Sequence, residues 1–258
     1  MEPDNKPSAE KKYWVPALER ADSILRLIRA EPSALKLMDL SKRLDINKSS
    51  MFSLLHTLEA LQWVTRLPGD TYAIGPGIGQ FGSAYLQQFD LSRAFQQEAA
   101  ASRTRIGETV QLACLDGRDI LYLAKMEAPS PVRLASDPGM RLPAYATAMG
   151  KALLAELEDA EVLRLYPESG LAQLTPRTVP DAAALLAELA RIRKEGLAYD
   201  DQEAVIGFCC VGAAVYDASG RAAAAVSFSM PAHQWAVKQE QATEELRGLA
   251  RRLSPGSS

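Results

Sequence analysis

At 258 residues the chain is long enough for two compact domains of about 100 to 150 residues each. Its 47% apolar and 24% charged content excludes extensive disorder, and a net charge of −3 speaks against a general polyanion binder. No apolar run approaches the roughly 20 residues of a bilayer span, and the polar first residues lack a signal-peptide core, so a soluble cytoplasmic protein is expected. Three cysteines, two of them adjacent (Cys209 and Cys210), spell neither a disulfide framework nor a CxxC pair nor a zinc knuckle.

Leu18, Ala21, Ile24, Leu25 and Ile28 fall at helical spacing between Pro16 and Pro32, which predicts a first helix of about four turns. Met38, Leu40 and Leu44 mark a short second helix, and Asn47 can cap a third. In that third helix Met51, Leu54, Leu55, Leu58 and Leu61 form one buried stripe, leaving Lys48, Ser49, Ser50, Ser53, His56 and Thr57 on the outer face. Residues 63–67 and 71–74 then alternate as two strands about Pro68-Gly69-Asp70. Three helices followed by such a hairpin outline a winged helix-turn-helix over residues 14–75, with the third helix entering the DNA major groove. Short hydroxyls and a lysine at its amino end suit phosphate oxygens and base edges, and Arg66 in the wing suits the DNA backbone. The charge distribution has the matching sign: residues 1–75 carry 11 Lys+Arg against 10 Asp+Glu, leaving 18 against 22 in the remainder.

Ile78, Phe81, Gly82, Tyr85 and Leu86 predict a linker helix over residues 76–90, and a new helical pattern from Leu91 to Ile106 opens a second domain spanning 91–254. Beyond Glu108 the texture changes to strands: residues 110–115, 120–126 and 132–136. Helical patterns at 149–157 and 181–194 follow, then strands 209–216 and 223–230 about Asp217-Ala218-Ser219-Gly220, and a last helix to Leu253. Strands and helices segregated in this way predict an α+β domain with a mainly antiparallel sheet. This second domain shows no GxGxxG after a first strand, no GxxxxGK(S/T) and no GxSxG.

Alternation places Cys210, Gly212 and Ala214 on one strand face, opposite to Cys209, Val211, Ala213 and Val215. That first set is small and leaves room for a ligand. Ser227 and Ser229 share a face of the next strand, and their hydroxyls can donate to an anion. Thr147 reads as a helix cap, so the backbone amides of Ala148 and Met149 are further donors suited to a carboxylate.

Three stretches of this chain are similar to the IclR family of bacterial transcriptional regulators. They are Asn47-Lys48-Ser49-Ser50 through Leu58 with Tyr72-Ala73-Ile74-Gly75-Pro76; Gly139–Pro143 running into Ala146–Ala155; and Glu195-Gly196 to Asp200-Asp201-Gln202-Glu203, with Gly207, Cys210, Ala213, Ser227, Ser229 and Pro231. The resemblance implies a winged helix-turn-helix, a linker helix and a GAF-like effector domain, assembled as a homodimer or a dimer of dimers on double-stranded operator DNA. It also implies that a small carboxylate or aromatic acid binds at Ala148, Met149, Asp200, Cys210, Ser227 and Ser229; Asp200 enters through the resemblance alone. Tyr145 stands where the family often has His, Ser53 where Arg is frequent, and Ala214 where Pro is frequent. The expected protein is a ligand-responsive regulator, a repressor rather than an activator, with no catalytic residues, no metal and no cofactor. The alternative is a redox or thiol sensor or enzyme using Cys210. Against it, the chain has only two histidines, His56 and His233, and no cluster of bases or ligands.

Overall fold

The computed structural model describes residues 14–87, 90–130, 134–167 and 170–254. The chain divides into two compact units that meet between residues 88 and 89.

The first unit contains α1 (Pro16–Ala30), α2 (Leu37–Arg43), α3 (Lys48–Ala60), β1 (Val64–Arg66), β2 (Tyr72–Ile74) and α4 (Pro76–Gln87). Pro16 begins α1, where its missing donor costs nothing. The Asn47 carboxamide oxygen caps α3 by accepting from the Ser50 amide at 2.9 Å. Ala21, Ile24, Ile28, Leu40, Met51, Leu55 and Leu58 meet Val64 and Tyr72 in one core. The wing pairs Val64 with Ile74 and Arg66 with Tyr72. Its tip bends through Gly69 and Asp70, both in the left-handed region at φ 90° and 63°.

Leu61, expected on the buried stripe of the third helix, is exposed, as are Leu18, Met38 and Phe81 from the helical patterns of the other three. Leu61 is the C-cap of α3, so the helical period that would bury it has already ended. Phe81 lies edge-on to the half-buried Trp63 at 6.0 Å. The linker helix is described to Gln87; residues 88 and 89 lie outside the described set, and Asp90 begins α5.

The second unit is built on a six-stranded antiparallel sheet in the order β5-β4-β3-β8-β7-β6. Its strands are β3 (Thr109–Asp116), β4 (Asp119–Met126), β5 (Arg141–Pro143), β6 (Ala198–Asp201), β7 (Phe208–Tyr216) and β8 (Ala222–Pro231). One face packs against α5 (Asp90–Ile106) and α9 (Ala232–Leu253). The other packs against α6 (Ala148–Leu154), which is backed by α8 (Ala182–Glu195), with α7 (Asp159–Leu165) beside α8. Gly196, at φ 69°, ends α8 by donating its amide to the Ile192 carbonyl at 2.7 Å.

The strand expected at 132–136 is absent from its described part. Residues 132 and 133 lie outside the described set, and residues 134–136 are not in a strand. The edge of β4 is taken by β5, pairing Asp119 with Pro143 and Leu121 with Arg141. Ser136 turns inward and accepts from the Gln111 carboxamide. Three short elements carried no expectation from sequence: β5, β6 and α7. The helix expected at 149–157 starts at Ala148 and stops at Leu154.

Among the described residues no helix is long and apolar enough to cross a membrane.

Candidate DNA-reading helix and ligand cavity

The two sets of residues selected from sequence fall in different units. On α3, Lys48, Ser49, Ser53, His56 and Thr57 are exposed, and Ser50 is half-buried beside the cap. Three of the four hydroxyl protons on this face are engaged by the helix and its cap. Ser49 donates to the Asn47 side chain at 2.9 Å, Ser53 to the Ser49 carbonyl at 3.1 Å, and Thr57 to the Ser53 carbonyl at 2.9 Å. Arg66 is exposed on the wing and pairs with Asp70 at 2.6 Å. A solvent-exposed pair of this kind is held loosely and can exchange its carboxylate for another anion. Phe52, which the sequence reading passed over, projects from the same helix with 61% of its surface exposed.

In the second unit the register brings distant parts of the chain to one face of the sheet. Cys210 stands opposite Ser229 and Gly212 opposite Ser227. Ser227 is in turn opposite Gln111 on β3, and Asp200 is opposite Cys210 on β6. The start of α6 lies directly over Gly212: a Cβ there would come within 2.7 Å of the Ala148 carbonyl carbon. Glycine is required for this approach of helix to sheet. Thr147 caps α6 by accepting from the Gly150 amide at 3.1 Å. Among the described residues the amides of Ala148 and Met149 take no acceptor.

Ala148, Met149, Asp200, Cys210 and Ser227 therefore line a single cavity, together with Gln111, Tyr122, Thr147 and Phe208. Ser229 does not line it; its oxygen accepts from the Cys210 thiol at 3.3 Å. Ser227 donates to the Gln111 carboxamide oxygen at 3.3 Å. Gln111 was legible in principle, as a polar side chain at an inward position of an apolar strand. The space left for the centre of a water molecule is ≈ 10 Å³, room for about one water. Leu134, Leu142, Ala204 and Val205 complete the wall. A wider cleft of ≈ 460 Å³ opens among α6, α8, β7 and α9; Ala214, expected on the small face of β7, lines it, but none of the six expected effector-binding residues does.

Burial raises the Asp200 carboxyl to about 6, against the lowering effect of hydrogen bonds from the Glu203 and Ala204 amides and the charge of Lys151. Its Oδ1 accepts from the Glu203 amide at 2.6 Å. Lys151, fully buried, donates to Glu188 at 2.7 Å and to Glu203 at 2.6 Å. Burial pushes Glu203 up to about 7 against the pull of Lys151, and the second carboxylate oxygen of Glu203 has no hydrogen-bond partner among the described residues. Desolvation also raises the thiols, Cys209 to about 12 and Cys210 well above its ordinary value. Cys209 turns instead to Asp201, at 3.4 Å. Two protonated thiols with separate partners do not make a reactive thiolate. Among the described residues no three His, Cys, Asp or Glu side chains converge as a metal site.

Comparison with known proteins matches both units, in the same order. Residues 17–68 match the IclR helix-turn-helix domain, and residues 83–255 match the C-terminal part of the bacterial transcriptional regulator IclR. The chain is 34% identical over 230 residues to the HTH-type transcriptional repressor AllR of Salmonella typhi, covering 88% of this chain and 83% of that repressor. Among solved structures, the Thermotoga maritima IclR superposes with a TM-score of 0.76 at 28% identity, over 92% of this chain and 98% of that one. An IclR homolog from Microbacterium hydrocarbonoxydans complexed with 4-hydroxybenzoate superposes with a TM-score of 0.79 over 92% and 97% of the two chains; at 20% identity the likeness is one of fold. The protein belongs to the IclR family of bacterial transcriptional regulators.

Proposed function

We propose that this regulator is a repressor whose α3 lies in the operator major groove, with Arg66 on the adjacent backbone, and whose cavity takes a small carboxylate or aromatic acid as effector. The effector contacts would be the Ala148 and Met149 amides, Asp200, Cys210 and Ser227, with Ser229 acting through Cys210. The observation that carries this reading is the convergence of Ala148, Met149, Asp200, Cys210 and Ser227, from α6, β6, β7 and β8, on one cavity in the unit that does not carry the reading helix. The 4-hydroxybenzoate of the Microbacterium hydrocarbonoxydans homolog is an acid of the same class; the class assigned here rests on the lining. An acid larger than one water must displace part of the wall, and a ligand shifts a two-state equilibrium only through its differential affinity for the states. Binding as a homodimer or dimer of dimers fits paired half-sites. We assign no catalytic step, because the cavity groups are held as donors and acceptors and no activated nucleophile stands among them.

The test is a two-part titration. Affinity for the regulator's own upstream DNA should fall steeply with salt, in proportion to phosphates contacted, and no binding at low salt would defeat the reading. The pair Ser227→Ala with Ser229→Ala should leave ligand-free DNA binding intact and abolish its response to a small acid that gives a dose-dependent thermal shift.

Effector affinity should also depend on pH in a fixed direction. A carboxylate beside Asp200 favours the protonated Asp200, so affinity should be level below pH 6 and fall by up to about tenfold per pH unit above it. Calorimetric titrations between pH 5 and 8 measure this; constant affinity across that range would separate Asp200 from the bound carboxylate.

A further inference from the structure

The face of α3 carries one large apolar group. Phe52 is 61% exposed while Met51 and Leu55 beside it are buried, so the ring does not belong to the core. It stacks on His56, one turn later, with ring centroids 6.2 Å apart and planes within 6° of parallel. A stacked neighbour at i+4 limits the rotamers of an otherwise free side chain and holds the ring outward. The hydroxyl protons of Ser49, Ser53 and Thr57 are already spent on the helix and its cap, so these residues offer mainly acceptor lone pairs. Beyond them and the Lys48 ammonium, the face presents a flat hydrocarbon surface next to an imidazole.

In the major groove the thymine 5-methyl is the one apolar feature of a base edge, and aromatic or aliphatic side chains read it by contact. We propose that Phe52, oriented by His56, is a specificity-determining residue that packs on a thymine methyl in each half-site. The assignment rests on α3 being the DNA-reading helix. It predicts an operator with a required thymine at a position where the short serines confer little preference.

The experiment uses the full chain. Duplexes of about 25 base pairs are selected from a randomised pool at low salt, a length that holds two half-sites one or two helical turns apart. In the selected duplex each thymine is then replaced singly by deoxyuridine, which removes only the methyl group. The unmodified protein should lose about fourfold in affinity per half-site at one thymine, the worth of one buried methyl. Phe52→Ala should bind the thymine and uracil duplexes equally, whereas Phe52→Leu should keep part of the preference. Silence of every thymine-to-uracil change in the unmodified protein, or an undiminished preference in Phe52→Ala, overturns the proposal while leaving DNA binding in place. Failure to enrich any duplex at low salt overturns both this proposal and the reading of α3 on which it stands.

Discussion

Lys151→Met is expected to lower the stability of the second unit by about 3 to 5 kcal/mol at pH 8, the usual cost of removing one partner from a buried ion pair. Lys151 is 0% exposed, and its ammonium is shared by Glu188 and Glu203. With the lysine gone, Glu203 keeps one carboxylate oxygen already without a hydrogen-bond partner among the described residues and loses the cation that holds the other. Protonation is its only relief. The native carboxyl is raised above its unfolded value, so this group opposes folding as pH rises from the unfolded value to about 7. In the variant that range extends higher, because the lowering effect of Lys151 has been removed. Urea titrations of the full chain should therefore find the variant's deficit larger at pH 8 than at pH 5.5. An unchanged midpoint at pH 8 would mean that the triad does not hold the domain together. A functional consequence is also expected. Glu203 donates its amide to Asp200 at 2.6 Å, so loosening Glu203 should weaken effector affinity more than it weakens DNA affinity.

Gly150→Ala is expected to cost about 3 kcal/mol or more, at or above the upper end of the usual range for an overpacked core. A Cβ at Gly150 would sit 2.2 Å from the Ala144 carbonyl oxygen and 2.4 Å from its Cα. Both are backbone atoms of the single 3₁₀ turn (Ala144–Ala146) that leads into α6, so no side-chain rotation relieves the clash. The first turn of α6 must move, and it carries both the Thr147 cap and the amides of Ala148 and Met149. Differential scanning calorimetry should record a lowered transition for the second unit together with a lost thermal shift on adding an acid effector. Gly79→Ala in α4 is the contrasting control, since a Cβ there meets nothing within 4 Å. In a helix interior that exchange should be neutral or gain up to about 1 kcal/mol. Equal losses at the two positions would indicate a general intolerance to alanine and not the packing of α6.

Different physical signals made different parts of this molecule legible. Helices α1 and α3 follow directly from apolar spacing, because one stripe of each is buried against the other elements of its own unit. Alternation put Cys210 with Gly212 on one face of β7 and Ser227 with Ser229 on one face of β8, since a strand's period of two leaves no other choice, and the register of the two strands brings both pairs to the same face of the sheet. Where periodicity ends, so did the reading. Leu61 continues the count of α3 but lies past its last turn, and Met38 sits on the open side of a two-turn helix. The residues around 132–136 have strand composition, yet the edge they would join is paired with β5, and Ser136 serves the cavity wall. β6 is four residues long and ends in two acids, too short for alternation to register, although it delivers Asp200. The short element β5 and the helix α7 are invisible for the same reason.

By itself the sequence determined the class of each unit: three helices and a wing, then segregated strands and helices, with small and hydroxyl-bearing residues on one sheet face. Those are local properties, set by spacing, capping and alternation within a few turns or one strand. Tertiary structure alone decided which of the chosen residues meet. It put Ser229 behind Cys210, brought Gln111 and Tyr122 into the lining, and left a cavity no larger than about one water. It also buried Lys151 against carboxylates 37 and 52 residues away. No local pattern encodes such a pairing, because it depends on how α6, α8 and the segment after β6 close over the same face of the sheet.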